Sequence, residues 1–290
     1  RRLSMLLASI FVLVGVGPSP AFRIIKGKHM KKFSTILVAL ACIFLLNATS
    51  AFAADRYSVA TGNWSATTTW SATSGGASGA SVPVAGDNAI IEGARTVTVT
   101  VAAACTNLSI ATGSILTVGG FNITVSGTTS VTGTLNNNST TGTKLFTGLV
   151  TINSGGVWNC SVNEAFEFRG GLTHNGTTFT TGTAVYSFTT NAQAIGGSSA
   201  LSIPSVTVTG VTLTNNGTLT VGTALAGTGG LTNGATGTLN LGGTSAITTL
   251  TATAVGNTVN FNGSGSQTIP ALNYYNLTSS SSGARTLASS

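Results

Sequence analysis

Few side chains in this sequence are able to do chemistry. Beyond residue 95 there is no aspartate, the carboxylates are Glu164 and Glu167, the cations are Lys144, Arg169 and Arg285, and the one histidine is His174. Cutting an acidic polysaccharide needs clustered carboxylates for acid–base work or for calcium, or a basic residue beside such a cluster. A glycine-and-aspartate calcium repeat is excluded without aspartate. One histidine and two distant cysteines, Cys105 and Cys160, do not make a zinc ligand set. Serines abound, but His174 has no evident acid partner to build a nucleophile–base pair. The one local cluster is NEAFEFRGGLTH, Asn163 to His174. In a strand, Phe166 and Phe168 face one way and Glu167 and Arg169 the other. The first pair reads as core and the second as a surface ion pair of small energetic weight. With Trp158 nearby in sequence, Glu167, Arg169 and His174 form a candidate glycan-contact patch. No catalytic residue, cofactor or metal ligand is expected.

The elements that position this patch are short and repeated. Thr96-Val97-Thr98-Val99-Thr100-Val101 alternates strictly, as do Asn122-Ile123-Thr124-Val125 and Val206-Thr207-Val208. Gly-Gly, Asn-Gly and Ser-Gly pairs separate them. Gly113-Ser114-Ile115-Leu116 returns twenty residues later as Gly133-Thr134-Leu135-Asn136, and Gly217-Thr218-Leu219-Thr220 returns at the same interval as Gly237-Thr238-Leu239-Asn240. Gly170-Gly171-Leu172-Thr173 is echoed three such units on by Gly229-Gly230-Leu231-Thr232. A longer unit aligns Ser202–Val221 with Thr268–Leu287 at an offset of 66, placing Ile203 on Ile269 and Val206 on Leu272. The earlier copy carries an extra loop around Gly196 to Ala200. These features predict an all-β fold, a right-handed parallel β-helix whose turns of about 20 residues each form two or three strands. About ten turns would make a rod on the order of 50 Å. An antiparallel sandwich array is the competing architecture, but the spacing repeats at one turn of chain. Asn136-Asn137-Asn138 and Asn215-Asn216 suit either amide ladders at corners or surface turns. Cys105 and Cys160 suit either a disulfide or two buried thiols.

A solenoid has an open end, and its first turn needs a cover. Two of the three tryptophans, Trp64 and Trp70, lie six residues apart at that end. They are read as a structural cap together with Pro83, Gly86 and Asp87. An exposed aromatic pair that stacks on sugars is the competing reading. Trp64, Trp70, Val82-Pro83, Gly86-Asp87, Ile90-Ile91, Gly93 and Thr96-Val97-Thr98-Val99 resemble the opening motif of the eight-glycine domain, found in extracellular β-helical proteins. NLSIATGSILTV and YYNLTSSSSGARTL resemble the repeats of large secreted, adhesin-like bacterial proteins. The resemblance implies surface display and polysaccharide-related roles, some in glycan-processing enzymes and many structural.

The first 53 residues differ from the rest. Met30-Lys31-Lys32, the apolar run Ile36 to Leu46 and Ala51-Phe52-Ala53 follow the order of a secretory signal cleaved after Ala53. The apolar run is short for a membrane span. Residues 1–29 read as upstream translation, with Lys26-Gly27 compatible with a ribosome-binding site before Met30; a two-helix hairpin anchor and a lipoprotein site at Cys42 are competing readings. The formal charge of +7 comes from that region. From Ala54 onward five basic residues (Arg56, Arg95, Lys144, Arg169, Arg285) balance five acids (Asp55, Asp87, Glu92, Glu164, Glu167). Nucleic-acid binding is therefore excluded as the function class.

The organisation expected is upstream translation over 1–29, a signal over 30–53, a cap with the first strands over 54–101 and solenoid repeats over 102–290, with further repeats or a sorting domain beyond Ser290. The expected location is extracellular or the outer cell surface, with no membrane span in the mature chain. The expected role is a structural and adhesive surface module whose partner is a polysaccharide or a host or cell surface. The rival reading is a non-catalytic stem of a larger polysaccharide-degrading enzyme; a third is a spacer without a ligand.

Overall fold

The computed structural model describes residues 53–289. The segments assigned above to upstream translation and to a secretory signal lie, apart from Ala53, outside the described residues. Among the described residues the chain forms 28 strands and one three-residue 3-10 turn, Thr67–Thr69. The strands stack in parallel as a β-solenoid of about 10 turns. One pairing among them is antiparallel, Asp55–Ser58 against Trp70–Ser71.

Each turn has three strands. Ala103–Cys105, Leu108–Ile110 and Ile115–Val118 make one turn, and Ile123–Val125, Thr129–Val131 and Thr134–Asn137 make the next. Ala103 pairs with Ile123, Leu108 with Thr129 and Ile115 with Thr134. The alternation explains the burial. Val97 and Val99 are buried while Thr96 and Thr98 are half-buried on the outer face. Stacked turns place like positions in columns, such as Val97, Leu116, Leu135, Trp158 and Phe179. Each aliphatic side chain so buried contributes about 1.5–3 kcal/mol.

The register refines the repeats. Thr218 pairs with Thr238 and Leu219 with Leu239, as the twenty-residue interval predicts. In the earlier pair the interval is one residue too long, since Leu116 pairs with Leu135. The 66-residue alignment is not a structural equivalence: the column from Ile203 runs through Val221, Leu241 and Phe261, while Ile269 pairs with Leu287. Thr, Gly and Leu recur so often that an alignment scores well out of register.

Corners are fixed in two ways. Gly197 and Gly227 adopt φ of 122° and 120°, and a Cβ on either would collide with the backbone of His174 or Val208 in the turn below. Long polar side chains also reach back one turn to corner carbonyls. Gln193 Nε2 donates to Phe168 O at 3.1 Å, Gln267 Nε2 to Leu241 O at 2.8 Å, and Arg285 Nη2 to Phe261 O at 2.9 Å. The asparagines form ladders, one of them internal: buried Asn215 donates to Asn233 Oδ1 at 2.8 Å. Outside, Asn159 donates to Asn136 at 2.9 Å. Cys105 and Cys160 are both buried and unpaired.

At the first turn the five expected cap residues fall into two neighbouring sets of contacts, Trp64, Trp70 and Pro83 in one and Gly86 and Asp87 in the other. Trp64 and Trp70 are buried, edge to face, with centroids 5.3 Å apart. Trp70 Nε1 donates to Trp64 O at 2.8 Å and Trp64 Nε1 to Pro83 O at 3.3 Å. Gly86 turns the chain at φ 106° into Asp87, whose carboxylate accepts from Ala54 N at 3.3 Å and lies 3.8 Å from Arg56 Nε.

Candidate functional site

The central turns hold the aromatic interior and the predicted patch. The strand Val157–Cys160 pairs with Thr134–Asn137, which puts Trp158 in the inward column above Leu135. Trp158 is fully buried, 5.0 Å from Phe166 and 5.8 Å from Phe179, and its indole N–H donates to Tyr186 Oη at 3.2 Å. His174 continues the column Ile110, Val131 and Ile152 and is 3% exposed. Its Nδ1 accepts from Gly176 N at 3.3 Å, and burial pushes its pKa down, so the ring is held neutral. Trp158 and His174 are therefore core residues, and their assignment to a glycan-contact patch is corrected: strand alternation turns both inward.

Glu167 and Arg169 remain at the surface, about a third exposed, while Phe166 and Phe168 face the core. Arg169 Nε donates to Glu167 Oε1 at 2.8 Å, and Thr189 Oγ1 donates to the same oxygen at 2.7 Å. The Thr189 hydroxyl first, and Arg169 after it, hold the Glu167 carboxyl below its usual range. Glu167 is thus an anion at neutral pH. It stands in an outward column with Leu145, Ser187 and Thr207. Beside it runs an open groove of about 340 Å³, walled by Thr143, Glu167, Ser187, Thr189 and Thr209. The sequence missed Ser187, Thr189 and Thr209 because they lie one and two turns away from Glu167; the twenty-residue interval is the signal that links them.

The groove offers one anionic acceptor and several hydroxyls on a stacked sheet, and the Arg169 guanidinium holds that acceptor from beside it. Those groups suit hydrogen bonding to a polyol. The second carboxylate of the cluster, Glu164, is 2% exposed and 3.7 Å from buried Lys144 Nζ, so it does not face the groove as a partner acid. Among the described residues no three His, Cys, Asp or Glu side chains are grouped to hold a metal ion. Nor is any helix among them long and apolar enough to cross a membrane. Comparison of the chain with protein-family models, curated proteins and solved structures gives no match.

Proposed function

We propose that this chain is an exported structural and adhesive surface module that presents a rigid, right-handed β-helical rod to a glycan or another surface. The observation that carries this reading is the groove in which Glu167, Ser187, Thr189 and Thr209 converge over an aromatic core, with Arg169 paired to Glu167 beside it. Pre-organised polar groups on a stiff support bind with little ordering cost. The hydrogen-bonded Trp64, Trp70 and Pro83, with the turn at Gly86 and Asp87 beside them, support a cap that covers the first turn, and the signal read over residues 30–53 supports export. Retention of the protein on a polysaccharide panel tests the adhesive role. Glu167→Ala combined with Thr189→Ala should weaken retention at least about tenfold, roughly 1.4 kcal/mol, with an unchanged circular dichroism spectrum. Retention equal to wild type removes the groove from the reading, and no retention on any member removes glycan adhesion.

A second reading, a non-catalytic stem of a larger polysaccharide-degrading enzyme, is favoured by the isolation of Glu167, which lacks a second exposed carboxylate in the central turns. Product release from the same panel by this chain would overturn both.

A further inference from the structure

Three buried polar side chains from successive turns meet at one corner of the solenoid, two of them breaking apolar columns. Lys144 sits between Ile123 and Phe166 in the column that continues to Tyr186 and Val206. Asn137 sits above Val118 and below Cys160 in a neighbouring column. Glu164 precedes the strand Phe166–Phe168 of the next turn. All three are buried: Asn137 is 0%, Lys144 1% and Glu164 2% exposed.

The loop between Asn137 and Lys144 folds both side chains against the same corner. Asn137 Nδ2 donates to Ser139 O at 3.0 Å, and Lys144 Nζ donates to Thr141 O at 2.9 Å and to Phe121 O at 3.0 Å. Lys144 Nζ lies 3.7 Å from Glu164 Oε1. Two buried acceptors at this corner have no partner, Glu164 Oε2 and Asn137 Oδ1. A native interior seldom leaves such atoms unsatisfied. Burial favours the acid form of Glu164, while Lys144 and the Asn137 amide beside it favour the anion.

We propose that Lys144 and Asn137 are joined by an intramolecular isopeptide bond whose formation Glu164 assists as the acid–base group. The Lys144 amine attacks Asn137 Cγ, and the protonated Glu164 carboxyl donates to Oδ1 as the tetrahedral centre forms. The Nζ–Cγ bond forms and the Cγ–Nδ2 bond breaks. Glu164 relays the proton from Nζ to the departing nitrogen, which leaves as ammonia. The step is redox-neutral, uses no co-reactant and returns Glu164 to its starting state. Burial works in the required direction on both partners. It pushes the Lys144 ammonium down toward the free amine and the Glu164 carboxyl up toward the acid, against their mutual attraction. The product removes the buried charge on Lys144 and fastens one solenoid corner covalently, from the end of one strand to the start of the next.

Trypsin digestion of the denatured full chain, read by mass spectrometry, decides it. The linked protein resists cleavage after Lys144 and yields a fragment spanning residues 96–169 that is lighter than its sequence by one ammonia. Lys144→Arg, Asn137→Ala and Glu164→Gln should each restore the full mass, and the two variants that keep Lys144 should regain cleavage after it. Separate wild-type fragments 96–144 and 145–169 at full mass overturn the bond. Glu164→Gln is nearly isosteric; a variant that keeps the wild-type circular dichroism spectrum and still cross-links fully overturns the role of Glu164.

Discussion

The turns around residues 137–193 and those around residues 218–261 are built on one plan and filled differently. In the later turns the interval holds at twenty along one column, where Thr218 pairs with Thr238 and Thr238 with Thr258. Their interior columns are mostly Leu and Val, with Phe261 the one buried aromatic among residues 218–261 and with Asn215 and Asn233 as an internal amide ladder. In the central turns the interval stretches, with Thr134 opposite Val157 and Val157 opposite Thr178. There the interior holds Phe146, Trp158, Phe166, Phe168, Tyr186 and Phe188, and the buried groups Lys144, Glu164 and His174. Larger side chains need a longer perimeter, and the extra residues form the corner loops. The candidate groove and the proposed bond both lie where the repeat is least regular.

Truncating the aromatic interior should have the largest effect. Trp158→Ala removes a side chain shared by stacked rings and the partner of Tyr186, and should cost about 3–5 kcal/mol in urea unfolding. A loss no larger than that of Leu239→Ala in the regular turns would mean that the central core is not the more tightly specified one. Next comes the buried pair. Lys144→Met removes the proposed link together with the nitrogen beside Glu164 and should cost about 3 kcal/mol, while the double variant Lys144→Met with Glu164→Gln should recover the part owed to the stranded carboxylate. No recovery would place the role of Lys144 in its carbonyl contacts at the corner.

In the regular turns, Asn233→Ala should cost about 1–3 kcal/mol. Asn233 accepts from Asn215 and donates to Gly237 O at 3.0 Å and Thr258 O at 2.9 Å, so its loss strands several buried groups. A neutral result would make the ladder incidental. The smallest effect concerns pH. Burial lowers the His174 pKa in the folded chain, so on acidification the unfolded chain takes up the proton first. Stability from this residue should fall as pH drops below about 6.5 and level off below the folded value. His174→Phe should flatten that part of the profile, and an unchanged slope would assign it to other groups.

Much of the architecture was legible in sequence because a period of two inside a period near twenty admits few folds. Thr96–Val99 announces its inward face, and Phe166, Glu167, Phe168 and Arg169 divide between core and surface as read. The errors arise where composition leaves the register open. Trp158 follows Val157 and precedes Asn159, so the local pattern does not say which side is inside; the answer comes from Leu135 and Leu116, one and two turns below. Lys144-Leu145-Phe146 has the same ambiguity, and the charged residue proves to be the inward one. The groove was legible only in part, since Glu167 and Arg169 are neighbours in sequence while Ser187, Thr189 and Thr209 join them through stacking.

The strands run across the axis of the solenoid, and each turn is hydrogen-bonded to the one below. A force applied along that axis therefore loads one layer of bonds at a time, like peeling, and does not shear the whole stack together. Each released turn of about 20 residues would pay out on the order of 70 Å of chain. A module anchored at one end and attached at the other would give way in steps, lengthening under load before it let go. A covalent tie such as the one proposed between Asn137 and Lys144 would withhold its loop from the chain released by that turn, shortening one step in the series.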